Sequence, residues 1–308
     1  MTTNAIQSSH IYSTYFAPRG RSRIYTLGMQ IAQLYLSPFD QIIGFIGEAG
    51  SGKSVLIKGM FPGIELTNDD DGVNVRPLPL LEQEYETGFF TPHTYHLDIR
   101  FEMGFHQLSE LADAVRLAVR RGKRIIIEHF DLIYPLLGVN ANLLIGVGEQ
   151  IVITRPNLFG PLPQDLCDIV YPSLAYRLMA HSAEDLCEYA MTQEQMLACS
   201  HGDIRHGFVL EFNEHQPDID IPTLESRVNE LIRADLPIDY YDESHILLGG
   251  VQHYCTGPRT HVRSTGRIIG FRLLDHFIYD HFHKTYMLVG CVGDDSEENI
   301  RKLEKIHG

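Results

Sequence analysis

Residues 41–60 read QIIGFIGEAGSGKSVLIKGM. The run Gln41 to Ile46 is short and apolar, the composition of a strand buried on both faces. The next eight residues, Gly47-Glu48-Ala49-Gly50-Ser51-Gly52-Lys53-Ser54, match GxxxxGK[ST] at every fixed position. Glycines let such a backbone curl until its N–H groups face phosphate oxygens. The helix expected over Ser54 to Phe61 adds its positive N-terminal end. Lys53 then offers an ammonium to the outer phosphates and Ser54 a hydroxyl to magnesium, with Val55 closing the cradle. Strand, loop and helix in this order predict a phosphate-binding loop of the P-loop NTPase kind, in an α/β domain with a mainly parallel sheet.

Upstream, the first ~20 residues are polar and read as a loose arm. Residues 24–36 place apolar side chains at helical spacing before Pro38. Downstream, 67–92 is acidic and punctuated by Pro and Gly, and Asp69-Asp70-Asp71-Gly72 reads as a turn. Residues 94–99 alternate as a strand, 107–121 form an amphipathic helix, and 124–128 and 150–154 are further strands. A magnesium-dependent P-loop site needs an acid at a strand end. Asp98 and Glu128 stand at two such ends, which makes Lys53, Asp98 and Glu128 the catalytic candidates, with Ser54 and Asp98 as magnesium ligands.

Pro156, Pro161, Pro163 and Pro172 crowd the next stretch, so the domain boundary is expected at 160/161, giving domains 1–160 and 161–308. In the second domain, 174–191 and 222–234 read as helices and 206–212 as a strand. Residues 246–253 and 266–292 read as strands, the latter folded on itself, and SEENIRKLEKI as a C-terminal helix. An α+β arrangement is expected there.

The 308 residues carry a formal net charge of −15. That excludes the broad positive field of a non-specific nucleic-acid binder. Two local basic groups remain, Arg116, Arg120, Arg121, Lys123 and Arg124, and Arg259, Arg263 and Arg267; each reads first as a solvated face. No apolar run approaches the ~20 residues needed to cross a bilayer. The start MTTNAIQSSHIYSTYF lacks the basic and apolar segments of a signal peptide. Five cysteines without a CxxC pair fit a cytoplasmic protein with free thiols or a Cys metal ligand.

The segment TLGMQIAQLYLSPFDQIIGFIGEAGSGKSVLIKGMFPG resembles the start of TsaE, the bacterial ATPase that assists threonylcarbamoyladenosine formation on tRNA. The family follows its P-loop with an H-x-D-x-Y-R strand and an IEW strand; here stand His96-Leu-Asp98-Ile-Arg100 and Ile126-Ile-Glu128-His129. The resemblance covers about 24–155. It implies that Asp98 serves magnesium and Glu128 positions water or nucleotide. Two features depart from the family: Asn68 to Pro79 replaces its Ser/Pro/Thr switch, and Val55 replaces its second hydroxyl.

Residues 174–290 resemble the second additional domain of alanyl- and threonyl-tRNA synthetases and the free-standing AlaX editing proteins. Four stretches carry this: Arg177 to Leu186, Gly202 to Phe212, Leu224 to Pro237, and Cys255-Thr-Gly-Pro-Arg-Thr-His261-Val-Arg-Ser-Thr265-Gly266. His181 and Asp185 lie four apart, on one face of a helix. Cys255 and His261 flank a Gly-Pro loop. The four together are a candidate zinc set, with His253 a spare nearby. The family uses a second His where Asp185 stands, and its Cys-to-His spacing is shorter by Pro258-Arg259. His276, His281 and His283 read as surface residues.

The combined expectation is a P-loop ATPase using ATP and magnesium, fused to a zinc-dependent aminoacyl-tRNA deacylase in which Glu184 or Asp185 is general base. One alternative is a non-catalytic module that senses tRNA or an amino acid; another is a P-loop small-molecule kinase. The partners implied are a nucleoside triphosphate and tRNA or aminoacyl-tRNA, with no membrane; a homo-oligomer is left open.

Overall fold

A computed structural model describes residues 12–64, 66, 78–82, 93–213 and 215–307. The acidic turn at 69–72 and most of the replaced switch segment lie outside these residues. The chain divides into two compact units: residues 1–17 with 21–172, and residues 18–20 with 173–308. Residues 161–172 therefore belong with the first unit. Both units mix helices and strands; the first holds a mainly parallel sheet and the second antiparallel ones.

The first unit is built on six strands: β1 (Ser13–Phe16), β2 (Ile42–Ile46), β3 (Thr94–Asp98), β4 (Arg124–Glu128), β5 (Leu143–Val147) and β6 (Gln150–Thr154), in the order β1-β6-β5-β2-β4-β3. Strands β3, β4, β2 and β5 are parallel, whereas β6 and then β1 add antiparallel at one edge. The segment read as a loose arm thus contributes an edge strand, with Ser13 opposite Ile153. Its four residues are too few to show an alternation against polar neighbours.

Side chains alternate across the sheet. Ile43, Phe45 and Ile126 face one apolar cluster with Ile24, Leu27 and Ile31 of α1 (Arg21–Tyr35) and Leu56, Ile57 and Met60 of α2 (Lys53–Met60). Ile42, Ile46, Ile125 and Ile127 face a second, with Leu111, Val115 and Ala118 from the helix Leu108–Arg120 and Phe130 and Ile133 from the helix Phe130–Leu137. The buried spacing 24, 27, 28, 31 is one helical face. Helices α1 and α2 meet backbone to backbone: a Cβ on Gly59 would lie 2.2 Å from the Tyr25 carbonyl oxygen, and one on Gly28 2.5 Å from that of Leu56.

A 28-residue helix, Pro163–Ala190, follows. The sequence suggested a start at 174, because Pro163 and Pro172 look like breakers. Pro163 instead opens the helix, where a missing N–H costs nothing, and Pro172 is carried inside it. In the second unit, β7 (Cys199–Ile204), β8 (Gly207–Asn213), β12 (Arg272–Leu273), β13 (Ile278–Asp280) and β14 (Thr285–Cys291) form one antiparallel sheet. The expected single strand at 246–253 is two, β10 (His245–Leu248) and β11 (Val251–Tyr254), which turn at Gly249-Gly250 and join β9 (Ile238–Asp242) in a second sheet. The core of this unit joins Met179, Ala183, Leu186 and Cys187 to Phe208, Leu210, Leu224 and Val228. No described helix is long and apolar enough to cross a membrane.

Candidate functional sites

In the first unit the loop Gly47 to Gly52 joins β2 to α2. Gly47, Gly50 and Gly52 have φ of +154°, +79° and +96°. A side chain at Gly47 would also strike the Val147 carbonyl oxygen at 2.5 Å. Glycine there is a requirement of the backbone path. Ser51 is buried, Glu48 and Ala49 line the loop, and Val55 packs against the α1–α2 cluster.

Register brings the acids alongside. Phe45 pairs with Glu128, and Glu128 with Asp98, at the carboxyl ends of β2, β4 and β3. Lys53 and Ser54 open α2. The Lys53 ammonium donates to the carbonyl oxygens of Gly47 and Glu48 at 3.0 and 2.9 Å and lies 3.8 Å from Glu128 Oε2. Ser54 Oγ donates to Glu128 Oε1 at 3.1 Å, and His96 Nε2 lies 3.1 Å from the same oxygen. Asp98 accepts from the Phe101 N–H at 3.0 Å, capping the turn Ile99–Glu102. The structure therefore gathers Lys53, Ser54 and Glu128 directly, with Asp98 beside Glu128.

Burial shapes the charges. It pulls the Lys53 ammonium below its ordinary pKa, despite the carboxylates of Glu128 and Asp98. It raises the Asp98 carboxyl. Burial also works to raise Glu128, but the His96 bond and the charges of His96 and Lys53 outweigh it and leave Glu128 lowered. His129, buried and next to Lys53 and Arg100, is pushed down to about 4 and is neutral at ordinary pH. Its backbone is left-handed, φ +56°, and its Nδ1 has no partner among the described residues. Motif reading gave no role to His96 or His129; both flank the strand-end acids, which was the available signal.

Among the described residues of the second unit, three groups of side chains have donor atoms within 4.8 Å of one another, close enough to hold a metal ion: Asp185 with Cys255 and His261, Asp185 with Glu188 and His253, and Glu188 with Cys199 and His201. The first contains three of the four residues suggested by sequence. His261 Nε2 donates to Asp185 Oδ2 at 2.6 Å and lies 3.7 Å from Cys255 Sγ. His181 is not in that group; its Nε2 lies 3.7 Å from Asp203 Oδ1. The spare His253 joins through Glu188, at 3.9 Å. His201 bridges two acids, with Nδ1 2.9 Å from Glu184 and Nε2 3.1 Å from Glu188.

Arg19, from the short segment Pro18–Gly20, enters this cluster. Its guanidinium donates to Glu184 and Asp185, and Nη2 lies 3.4 Å from Cys255 Sγ. Burial works to raise Asp185, but Arg19 and His261 hold it well below the usual carboxylate range. Burial, with Asp185 adding, pushes the Cys255 thiol up to about 12, and burial raises Glu188 to about 7. A tetrahedral zinc with bonds near 2.0 Å spreads its nitrogen and oxygen donors to about 3.3 Å. The 2.6 Å contact of His261 with Asp185 is tighter than that, and a cation already bonds Asp185. The donor types suit zinc; the arrangement, closed around Arg19, does not fit it. Sequence gave no hint of Arg19, whose partners lie 165 and 166 residues away.

No family model matches the chain, and neither does any curated protein.

Proposed function

We propose that the first unit is a P-loop nucleotide-binding domain that takes a nucleoside triphosphate and hydrolyses it. One observation carries this reading: the Lys53 ammonium and the Ser54 hydroxyl, at the start of one helix, converge on Glu128 at the end of the adjacent parallel strand. In the free chain the two carbonyls and Glu128 hold Lys53 in readiness. A triphosphate laid along the N–H groups of the loop draws the ammonium to its outer oxygens. Ser54 and Asp98 would hold magnesium, which neutralises phosphate charge. Glu128, buried and kept ionised by His96, orients the attacking water and accepts its proton. Calorimetry of ATP and of GTP, with phosphate release measured in parallel, tests this and decides between the bases. No heat from any nucleoside triphosphate would end it.

The second unit acts, in this reading, as a domain of the synthetase-editing kind that recognises tRNA or an amino acid without cleaving an ester. The buried Arg19 favours recognition over hydrolysis, because it engages two of the carboxylates nearest the donor set. Mischarged tRNA incubated with the chain should keep its amino acid, with or without ATP. Its release would restore the deacylase reading.

A further inference from the structure

The second unit buries three carboxylates along one stretch of helix: Glu184, Asp185 and Glu188 are 1%, 2% and 6% exposed. Charges so far from water need a partner close by. A metal ion is one solution, and Asp185, Cys255 and His261 have the donor types for it. The chain contains another solution. The Arg19 side chain is 2% exposed, with one terminal nitrogen on Glu184 and the other on Asp185. That second nitrogen also faces Cys255 Sγ at 3.4 Å, so it touches two of the three members of the candidate metal set. A guanidinium stays charged at every ordinary pH and presents a planar fork that suits paired acceptors.

The backbone is fitted to this docking. Arg177 Nη2 donates to the Pro18 carbonyl at 3.2 Å. Gly20 has φ +80°, and a Cβ there would lie 2.6 Å from the carbonyl oxygen of Thr256, the residue after Cys255. A Cβ on Gly257 would lie 3.3 Å from the Gly20 nitrogen and 3.6 Å from the Arg19 Cβ. Two glycines thus let the Arg19 segment lie against the Cys255 loop, where any other residue at Gly20 would be both strained and blocked.

We infer that Arg19 is the resident cation of the Asp185–Cys255–His261 cradle: its guanidinium takes the place of a divalent metal, and the chain binds zinc there only when Arg19 withdraws. Glu184, which lies outside the metal set, gives the guanidinium a second anchor that zinc would not share. Withdrawal frees Asp185 Oδ1 and Cys255 and leaves a thiol, an imidazole and a carboxylate for a borderline transition metal, which on entering parts the 2.6 Å contact of His261 with Asp185. This is independent of the nucleotide reading, and a chain that binds no triphosphate would leave it untouched.

Cobalt(II) titration of the full-length, metal-free chain without nucleotide tests it. The readouts are the d–d absorption of tetrahedral cobalt, the thiolate-to-cobalt charge-transfer band, and zinc affinity by competition. The wild-type chain should show no thiolate band at one equivalent. Arg19→Met should develop the band and bind zinc on the order of 100-fold more tightly, because a buried cation no longer competes. Gly20→Ala, which hinders docking but keeps the arginine, should move the same way by a smaller factor. Adding Cys255→Ser to Arg19→Met should remove the band. An Arg19→Met chain that folds only when zinc is added also supports the inference. A wild-type chain that binds cobalt with a thiolate band as tightly as Arg19→Met overturns it. So does an Arg19→Met chain that zinc neither binds nor rescues.

Discussion

Replacing Lys53 by Met separates a structural from a functional lysine. Met keeps the length and apolar stem but removes the ammonium. In the free chain that ammonium makes two bonds to neutral carbonyls, of 3.0 and 2.9 Å, and a loose 3.8 Å approach to Glu128. Bonds from a charged donor contribute about 2 kcal/mol each. Against them stands the cost of burial, which already outweighs the neighbouring carboxylates, since the Lys53 pKa is lowered. A lysine whose folded pKa is depressed binds its proton less readily folded than unfolded. Its charged form is therefore a liability at neutral pH, relieved only as pH rises through the folded value. The two effects oppose each other, so Lys53→Met should shift the stability of the free chain by no more than about 2 kcal/mol. Triphosphate binding should behave differently. A charge-assisted contact to the outer phosphates contributes about 3 kcal/mol, so affinity should fall roughly 100-fold. Calorimetry with ATP and GTP gives the affinity. Thermal unfolding with and without nucleotide gives the same quantity independently, because ligand at 100 times Kd stabilises by about 2.7 kcal/mol. A Lys53→Met chain that melts like the wild type and binds triphosphate within twofold of it would refute the reasoning.

Glu128→Gln keeps shape but loses the charge that Lys53, Ser54 and His96 surround; phosphate release should drop by at least about 100-fold while triphosphate affinity is kept. The same variant should flatten the acid side of the stability curve, since a carboxyl with a lowered pKa contributes stability at neutral pH that is lost as pH falls through its folded value. Asp98 has the opposite sign, because burial raises its pKa: Asp98→Asn, which can still cap Phe101, should raise the melting temperature at pH 7, with the gain fading as pH falls towards the ordinary carboxylate range, while magnesium-dependent turnover is lost. Gly59→Ala puts a methyl 2.2 Å from the Tyr25 carbonyl and should cost about 1–3 kcal/mol in denaturant unfolding. Cys199, Cys255 and Cys291, each pushed up to about 12 by burial, should resist iodoacetamide at pH 8 in the native chain and react within minutes in denaturant.

The parallel part of the first sheet was legible because each strand there is a dense apolar run and each helix a periodic one. Residues 124–128 coincide with β4, and β2 takes up Ile42 to Ile46 of the apolar run Gln41 to Ile46. The strand Leu143–Val147 and the helix Phe130–Leu137 were missed, since the span 130–147 is apolar nearly throughout and offers no period to divide it. Pro163 and Pro172 hid the first 11 residues of the helix Pro163–Ala190. For the sites, spacing located Lys53, Ser54, Asp98 and Glu128, and drew Asp185, Cys255 and His261 together across 70 positions and more. It was blind to Arg19, because nothing around Pro18–Gly20 marks a buried cation. Only the folded chain supplies the three acidic and thiol partners that explain it.

The edge strand β1 also sets a schedule for synthesis. Ser13 leaves the ribosome about 140 residues ahead of its partner Ile153. At 5–20 residues per second, the first strand waits on the order of 10 s for its neighbour. Until then β6 is missing too, and the growing parallel core has a raw flank with unpaired amides. Such flanks invite intermolecular pairing. This half of the protein is therefore most exposed to chaperones, and to aggregation, just before residue 154 is made.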